Sequence, residues 1–497
     1  MAILNNRISI SGIKQRSRSA TKAANILGYK ASSGVSKPQK YRKDVLNDID
    51  KYYNSAQYDH LPPWSDFMES DGQISSRDAK PKIIYPFLRV LSDRLSAKLL
   101  GQDTYPDFKV SDDPDFEFFG GLVERESLLK AKVQSSLKKF AIMGSAFIRT
   151  KVSNGKPEIE RYDSKFCYPE FDGSGDLIKI TIKYIFEDDD DLDQNNNPKL
   201  KWYKMELAQM QDNFFDTPEY VNGSEPEFTE TGVVDHQLGF VQGVWFRTSF
   251  ENHSPDGATF VDSALFSFID EFNYNISKSS NASEYGIDPQ LIISNMTEDE
   301  IDDLVKSTAN AWAMGREGKA SFLEVSQSGL DAANTFREDH LMKKIMDIAR
   351  IVLLDPEKIV GSAQSGKAME VLHGPMVDFI NELRPYVEAG LSELYKKVLA
   401  TLIELNRRGF ELAFTMPPQY IPKSFDITFS WPPIFPMTAQ DKQQTISYVL
   451  QMATANIISR ETALKWLIAL LPEIPIESID DEIMRVNSQQ QFNTFGF

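Results

Sequence analysis

The chain has 497 residues, 41% of them hydrophobic, and a formal net charge of −18. That length allows roughly three domains of about 150 residues, with no run of about 18 apolar residues to span a membrane and no secretory leader. The acidity excludes tight nucleic-acid binding over the whole surface, the single cysteine excludes an intrachain disulfide and fits a reducing compartment, and five scattered histidines lack the paired spacing of a metal site.

Residues 1–43 carry ten Lys or Arg and no acid. In a Ser-, Ala- and Gly-rich background this predicts a basic N-terminal arm. It is either a contact for acidic protein or nucleic acid, or a solvated tail; the acid-poor composition also fits a mitochondrial presequence. Residues 44–110 read as helical. Within 82–101, Ile84, Phe87, Leu88, Leu91, Leu95 and Leu99 share one face, and Gly101 ends the pattern. Residues 121–143 repeat that signal, with Gly144 at the stop. Short strands follow, with Asn154-Gly155 as a hairpin turn. They continue through KITIKYIFE to Val233. The acidic stretch EDDDDLDQNNNP, 187–198, lacks the Gly and terminal Glu of an EF-hand loop and reads as a solvated hairpin tip. Cys167, in the strand region, is a candidate nucleophile only in principle, because burial is the common fate of this residue type. Residues 44–257 read as one α+β domain.

LGFVQGVWFRTSF, 238–250, is a hydrophobic strand, followed by a loop with Pro255 and Gly257. Val261, Leu265, Phe268, Ile269, Phe272 and Ile276 then predict a helix that stops before Gly286. Residues 287–328 read as a compact insert. It comprises a strand LIIS, a helix opening at the capping box Thr297-Glu-Asp-Glu300, and a strand ASFLEV after Gly315 and Gly318. A second helix is predicted from Leu330 to about Leu354, with Leu341, Ile345, Ile348 and Val352 in helical period. Two helices flanking a small α/β insert make a stalk with a tip.

GSAQSGKA, 361–368, is one residue short of a phosphate-binding P-loop, and IVLLD, 351–355, imitates the acidic half of an ATPase site. The mechanism needs a hydroxyl after the Lys to hold Mg²⁺, and Ala368 stands there. It also needs a buried parallel strand before the loop, whereas the approach is helical and Asp355 lies too close. Gly361, Ser362, Ser365 and Gly366 make the loop small, Lys358 and Lys367 make it lightly basic, and Gln364 or Ser365 can cap the next helix. Such a loop suits close passage of a mobile anion, or serves as an ordinary connector. An NTP-dependent enzyme, predicting nucleotide binding lost on Lys367→Ala, and a helical scaffold or adaptor without a channel are the rival readings.

Leu383, Val387, Leu391, Leu394, Val398, Leu402 and Leu405 mark a long helix, bent at Gly374-Pro375 and Pro385 and stopped at Gly409. FDITFSWPPIFP, 425–436, reads as a strand running into a Pro-rich turn. Two helices follow within 438–471, one capped at Thr438 and one starting at Ser459, before a polar tail.

This order of parts resembles the portal proteins of tailed bacteriophages, particularly the SPP1-type portal family. The resemblance rests on LGFVQGVWFRTSF with DGATFVDSALFSFIDEFNYNISK, on residues 319–385 around GSAQSGKA, and on FSWPPIFPMTAQDKQQT with IISRETAL. It implies an α+β ring subunit with a basic N-terminal arm (1–43), a wing (44–257), helical stem (258–285 and 330–353) and small α/β clip (286–329). A tunnel loop (354–368), a long kinked helix with the return strand of the wing (369–436), and a helical crown with C-terminal tail (437–497) complete it. Such subunits form a ring, usually dodecameric, at one capsid vertex of the virion, after assembly in the host cytoplasm. The ring passes double-stranded DNA during packaging and ejection and docks terminase and neck or adaptor proteins. Major capsid and scaffolding proteins are further implied partners; a membrane, a metal and a cofactor are not. ATP hydrolysis belongs to the terminase, so no enzyme activity is expected.

The resemblance nominates Lys358, Gly361, Ser362, Gln364, Ser365, Gly366 and Lys367 as channel residues, and Lys343, Lys344 and Arg350 as stem charges. Those stem charges equally suit pairing with acids of a neighbouring subunit. A packaging channel must avoid tight binding, because each released counterion would add a brake. Net negative walls with a few lysines at one constriction meet that demand.

Overall fold

The computed structural model describes residues 37–64, 79–110, 114–193, 196–220, 225–250, 254–287, 291–294, 319–322, 327–351, 366–414, 427–435, 439–470 and 484–485. The chain falls into two compact units, Met1–Ile351 with Phe379–Trp431, and Val352–Asp378 with Pro432–Phe497.

The first unit opens with helices α1 (Lys37–Tyr53) and α2 (Phe87–Leu100), the short strand β1 (Asp107–Val110), and helices α3 (Pro114–Ser127), α4 (Leu129–Ser136) and α5 (Phe140–Met143). The face expected on α2 is the buried one: Phe87, Leu88, Leu91, Leu95 and Leu99 are all covered. α2 starts at Phe87, later than the sequence pattern, because Pro86 sits at its N-cap and has no backbone N–H to continue the ladder. The predicted helix over 121–143 is in three pieces. Leu128 takes a left-handed conformation between α3 and α4, and Gly144, also left-handed, closes α5 as anticipated.

Strands β2 (Ser145–Ser153), β3 (Lys156–Tyr162), β4 (Cys167–Phe171), β5 (Leu177–Leu192), β6 (Pro198–Ala208), β7 (Gln211–Phe215), β8 (Glu230–Asp235) and β9 (Gly243–Arg247) form two antiparallel sheets. One has the order β3-β2-β9 and the other β4-β5-β6-β7-β8. The β2–β3 hairpin turns at Asn154 and Gly155, both at positive φ, as a type I′ turn requires. Phe147 and Trp245 from the smaller sheet meet Ile180, Ile182, Met205 and Leu207 from the larger one in a shared core with Cys167 and Val241. The period-two spacing of 180/182 and 205/207 places each pair on one face. On the opposite face, Trp202 is covered by the β7–β8 connection: its backbone N–H donates to the Pro218 carbonyl at 2.9 Å and its ring meets Phe228 edge-on.

Helix α6 (Ser263–Ile287) leads to β10 (Leu291–Ser294), which pairs antiparallel with β11 (Lys319–Phe322). The capping box at 297–300 and the breaks at Gly315 and Gly318 lie outside the described residues. Helix α7 (Gln327–Thr335) then runs through a π-helical segment (Phe336–Met342) into α8 (Lys343–Ala349). This path stops short of Leu354 because Arg350 adopts a left-handed conformation at the C-cap.

Helix α9 (Gly366–Leu372) is followed by α10 (Gly374–Arg407), a 34-residue helix with Pro385 inside it. Leu383, Val387, Leu391, Leu394, Val398 and Leu402 are buried, which is the stripe expected from the sequence. Gly390 lets α10 approach β9, since a Cβ there would lie 2.4 Å from the Phe246 ring. Strand β12 (Ile427–Ser430) pairs antiparallel with β1 within the first unit, which the chain re-enters at Phe379 in α10. Helices α11 (Ala439–Thr454) and α12 (Arg460–Leu470) belong to the second unit. The Ser459 Oγ accepts the Thr462 N–H at 3.1 Å, an N-cap at the helix start expected there.

Candidate functional site

Lys358, Gly361, Ser362, Gln364 and Ser365 lie outside the described residues, as does Asp355. Gly366 and Lys367 open α9. The approach to the loop is helical: α8 ends at Ala349, and only Arg350 and Ile351 follow before the description stops. Every strand pairing among the described residues is antiparallel. The described strands therefore offer no parallel sheet on which a P-loop would sit.

The three charges nominated on and after α8 are all engaged with acids of their own chain. Lys343 Nζ is 2.6 Å from Asp339, Lys344 Nζ is 3.3 Å from Asp347, and Arg350 Nη1 is 3.0 Å from Glu382. Arg350 also lies over the Phe379 ring. Each pair is largely exposed, so each contributes at most about 1 kcal/mol and is readily exchanged for another ion. Beneath them, Leu341, Ile345 and Ala349 are buried.

Helix α6, which leads into the β10–β11 pair, is held quite differently. Asp270, Asn273, Tyr274 and Ser277 form a buried or nearly buried polar stripe on α6 at steps of three, one and three residues. The Tyr52 hydroxyl donates to Asp270 Oδ2 at 2.8 Å and the Tyr58 hydroxyl to Oδ1 at 2.5 Å. Asn273 donates to the Tyr58 oxygen at 3.2 Å and accepts the Tyr85 N–H at 2.9 Å. Ser277 accepts the Ile83 N–H at 3.0 Å, and the Tyr274 hydroxyl donates to the Ala79 carbonyl at 3.1 Å. Burial pushes the Asp270 carboxyl up to about 7, against the opposing pull of the two phenol hydrogen bonds. The sequence pattern found Leu265, Ile269 and Phe272 of this helix but missed the polar stripe. Its only signal is polar residues at helical spacing beside an apolar face, which by itself reads as a solvated surface.

A second missed cluster fixes α1. Arg42 donates from Nη2 to Asp256 at 2.8 Å and from Nη1 to the Cys167 carbonyl at 2.7 Å, beneath the Trp245 ring. Ser145 also donates to Asp256. Burial alone would lower the Arg42 pKa, but the adjacent Asp256 raises it. Cys167 itself is buried, and burial raises its thiol pKa, which does not suit a nucleophile. Among the described residues, no group of three or more His, Cys, Asp and Glu is arranged to hold a metal ion. None of their helices is long and apolar enough to cross a membrane.

The model of the family described as "Phage portal protein, SPP1 Gp6-like" matches residues 36–489. The chain belongs to that family of phage portal proteins. A match over this span takes in both compact units, beyond the stretches that carried the sequence resemblance, and leaves the acid-free segment before residue 36 unmatched. A comparison with curated proteins finds no match. Among solved structures, a chain of "Virion of native gene transfer agent (GTA) particle" is similar over 65% of this portal-family chain and 85% of that chain, at 11% identity and a TM-score of 0.35. That likeness is too slight to carry an argument.

Proposed function

We propose that this portal-family chain is one subunit of a closed ring at a capsid vertex, and that double-stranded DNA passes through the ring during packaging and ejection. The observation that carries this reading is the family match across 36–489. The order helix, antiparallel strand pair, helix supports it: α6, β10–β11 and α7–α8 correspond to a stem, a clip and a returning stem. On this reading 44–257 is the wing, 258–285 and 330–353 the stem, and 286–329 the clip. Residues 354–368 are the tunnel loop, 369–436 the long helix and the return strand of the wing, and 437–497 the crown and tail. Terminase would dock during packaging and neck proteins afterwards, with capsid and scaffolding proteins around the ring. The subunit is a conduit, and ATP hydrolysis lies with the motor.

The charge arrangement suits that work. The net charge of −18 repels a duplex from the walls. Lys343, Lys344 and Arg350 are cations already matched by acids at 2.6–3.3 Å, so they offer a passing phosphate an exchange of partners with little net gain. Lys358 and Lys367 are the proposed guides at the loop. Imaging purified protein as single particles and counting subunits in end-on views tests the proposal. Rings, twelve-fold on the family pattern, with a hole wider than the roughly 20 Å of B-form DNA are expected. Monomers at high concentration, together with absence from particles, would overturn it.

A further inference from the structure

The five-stranded sheet has one blocked edge and one open edge. At β4, the Cys167 carbonyl is taken by Arg42, and the first three residues of the strand are buried. At β8, one side pairs with β7 from Gln211↔Asp235 to Phe215↔Glu230. No described strand pairs with its other side. Five of its six residues are exposed, among them the adjacent Val233 at 47% and Val234 at 51%. The strand ETGVVD contains no Lys and no Pro, two of the devices that discourage another strand from adding to an edge; its acids are confined to its two ends, and its register irregularity lies between Gly232 and Glu230, leaving 232–235 regular.

The charges around this edge select its occupant. Residues 205–246 contain eight acids and no Lys or Arg, whereas residues 1–43 contain ten Lys or Arg and no acid. Within that basic arm, RISISGI (7–13) alternates Ile8 and Ile10 with Ser9 and Ser11 between Arg7 and Lys14, the period-two pattern of a strand. Pairing of two β8 edges is disfavoured. Antiparallel self-pairing about the strand centre sets Glu230 against Asp235 at both ends, and like charges directly opposite repel. It would also be a two-fold contact, which does not propagate round a ring.

The geometry points to strand addition: residues 7–13 of this chain pair with the outer edge of β8 as a sixth strand. One antiparallel register sets Arg7 against Asp235 and Ile8 against Val234. Ile10 then lies over Gly232, where an added side chain would meet nothing within 4 Å. The chain between Lys14 and the start of α1 at Lys37 can extend to roughly 75 Å, so the arm is not confined to the surface next to α1. The inference does not depend on the ring, so it stands or falls separately from the portal reading.

Hydrogen exchange of the full-length protein, followed by mass spectrometry, tests it. The comparison variant carries Ser9→Pro and Ser11→Pro, which remove two N–H groups from the side of the arm that faces β8 in this register, where the outward backbone groups of β8 are those of Val233 and Asp235. Amides of 230–235 should exchange about tenfold faster in the variant, while β5 and β6 stay unchanged as a folding control. A synthetic peptide of residues 1–18 should restore protection, less so at high salt. A Ser9→Cys, Val233→Cys protein should form a disulfide on oxidation, and its size on a non-reducing gel distinguishes the same copy from a neighbour. Identical β8 exchange in both proteins would overturn the proposal, whether fast, leaving the edge bare, or slow, placing another segment on it.

Discussion

The two helices that lead to and from the β10–β11 pair are held by opposite means. α6 is anchored by buried hydrogen bonds to residues about 190 to 220 positions earlier in the chain. Its partner, α7–α8, buries a narrow apolar stripe and carries its charges outward in exposed pairs. Buried polar bonds are costly to break singly, because the group left behind has no water to turn to. Exposed pairs exchange partners at little cost. The contrast assigns fixity to the first helix and adjustability to the second.

The largest test removes the lock that seats α1. Arg42→Ala leaves Asp256 without its cation in a mostly buried site, and a loss of about 3–5 kcal/mol is expected in chemical denaturation. Next comes the α6 anchor. Tyr52→Phe with Tyr58→Phe strips Asp270 of both donors, for a loss of about 2–4 kcal/mol. If that pair costs no more than an exposed charge pair, the contrast fails.

The same carboxylate makes a pH prediction. Its folded pKa of about 7 lies above the ordinary 3.8, so the folded state favours the protonated acid. The stability linked to this proton is fully present below about pH 4 and is lost as pH rises through about 7. Asp270→Asn should flatten that slope between about pH 4 and 7, read from denaturation midpoints. An unchanged slope would place the titration elsewhere. Gly390→Ala should cost about 1–3 kcal/mol by pressing a methyl into Phe246. At the small end, Lys343→Ala or Lys344→Ala should change stability by less than about 1 kcal/mol. A larger loss from either would show that α8 is fixed as firmly as α6.

The apolar framework was legible where a period survives in the letters. The α10 stripe from Leu383 to Leu402 and the Asn154-Gly155 hairpin are local patterns with local causes. The end of α8 was not legible, because Ile348 and Val352 keep the helical period while Arg350, a residue type that seldom turns left-handed, breaks it. The Asp270 anchor was hidden for another reason. Its donors, Tyr52 and Tyr58, are remote in sequence, and buried polar residues at helical spacing look the same as wet ones until the partner is in place. Of the charges named in advance, the Lys343–Asp339 pair is an (i, i+4) contact visible in the sequence, whereas Arg350–Glu382 depends on tertiary approach. The loop lysine Lys358 lies outside the described residues.

The π-helical segment from Phe336 to Met342 acts on its helix as a dislocation acts in a crystal. One surplus residue is accommodated by a wide turn, and the turn can migrate by trading one backbone hydrogen bond for its neighbour. Each residue it passes swings by about 100° around the axis. A helix with such a defect can re-aim the side chains on one stretch while both ends keep their seats.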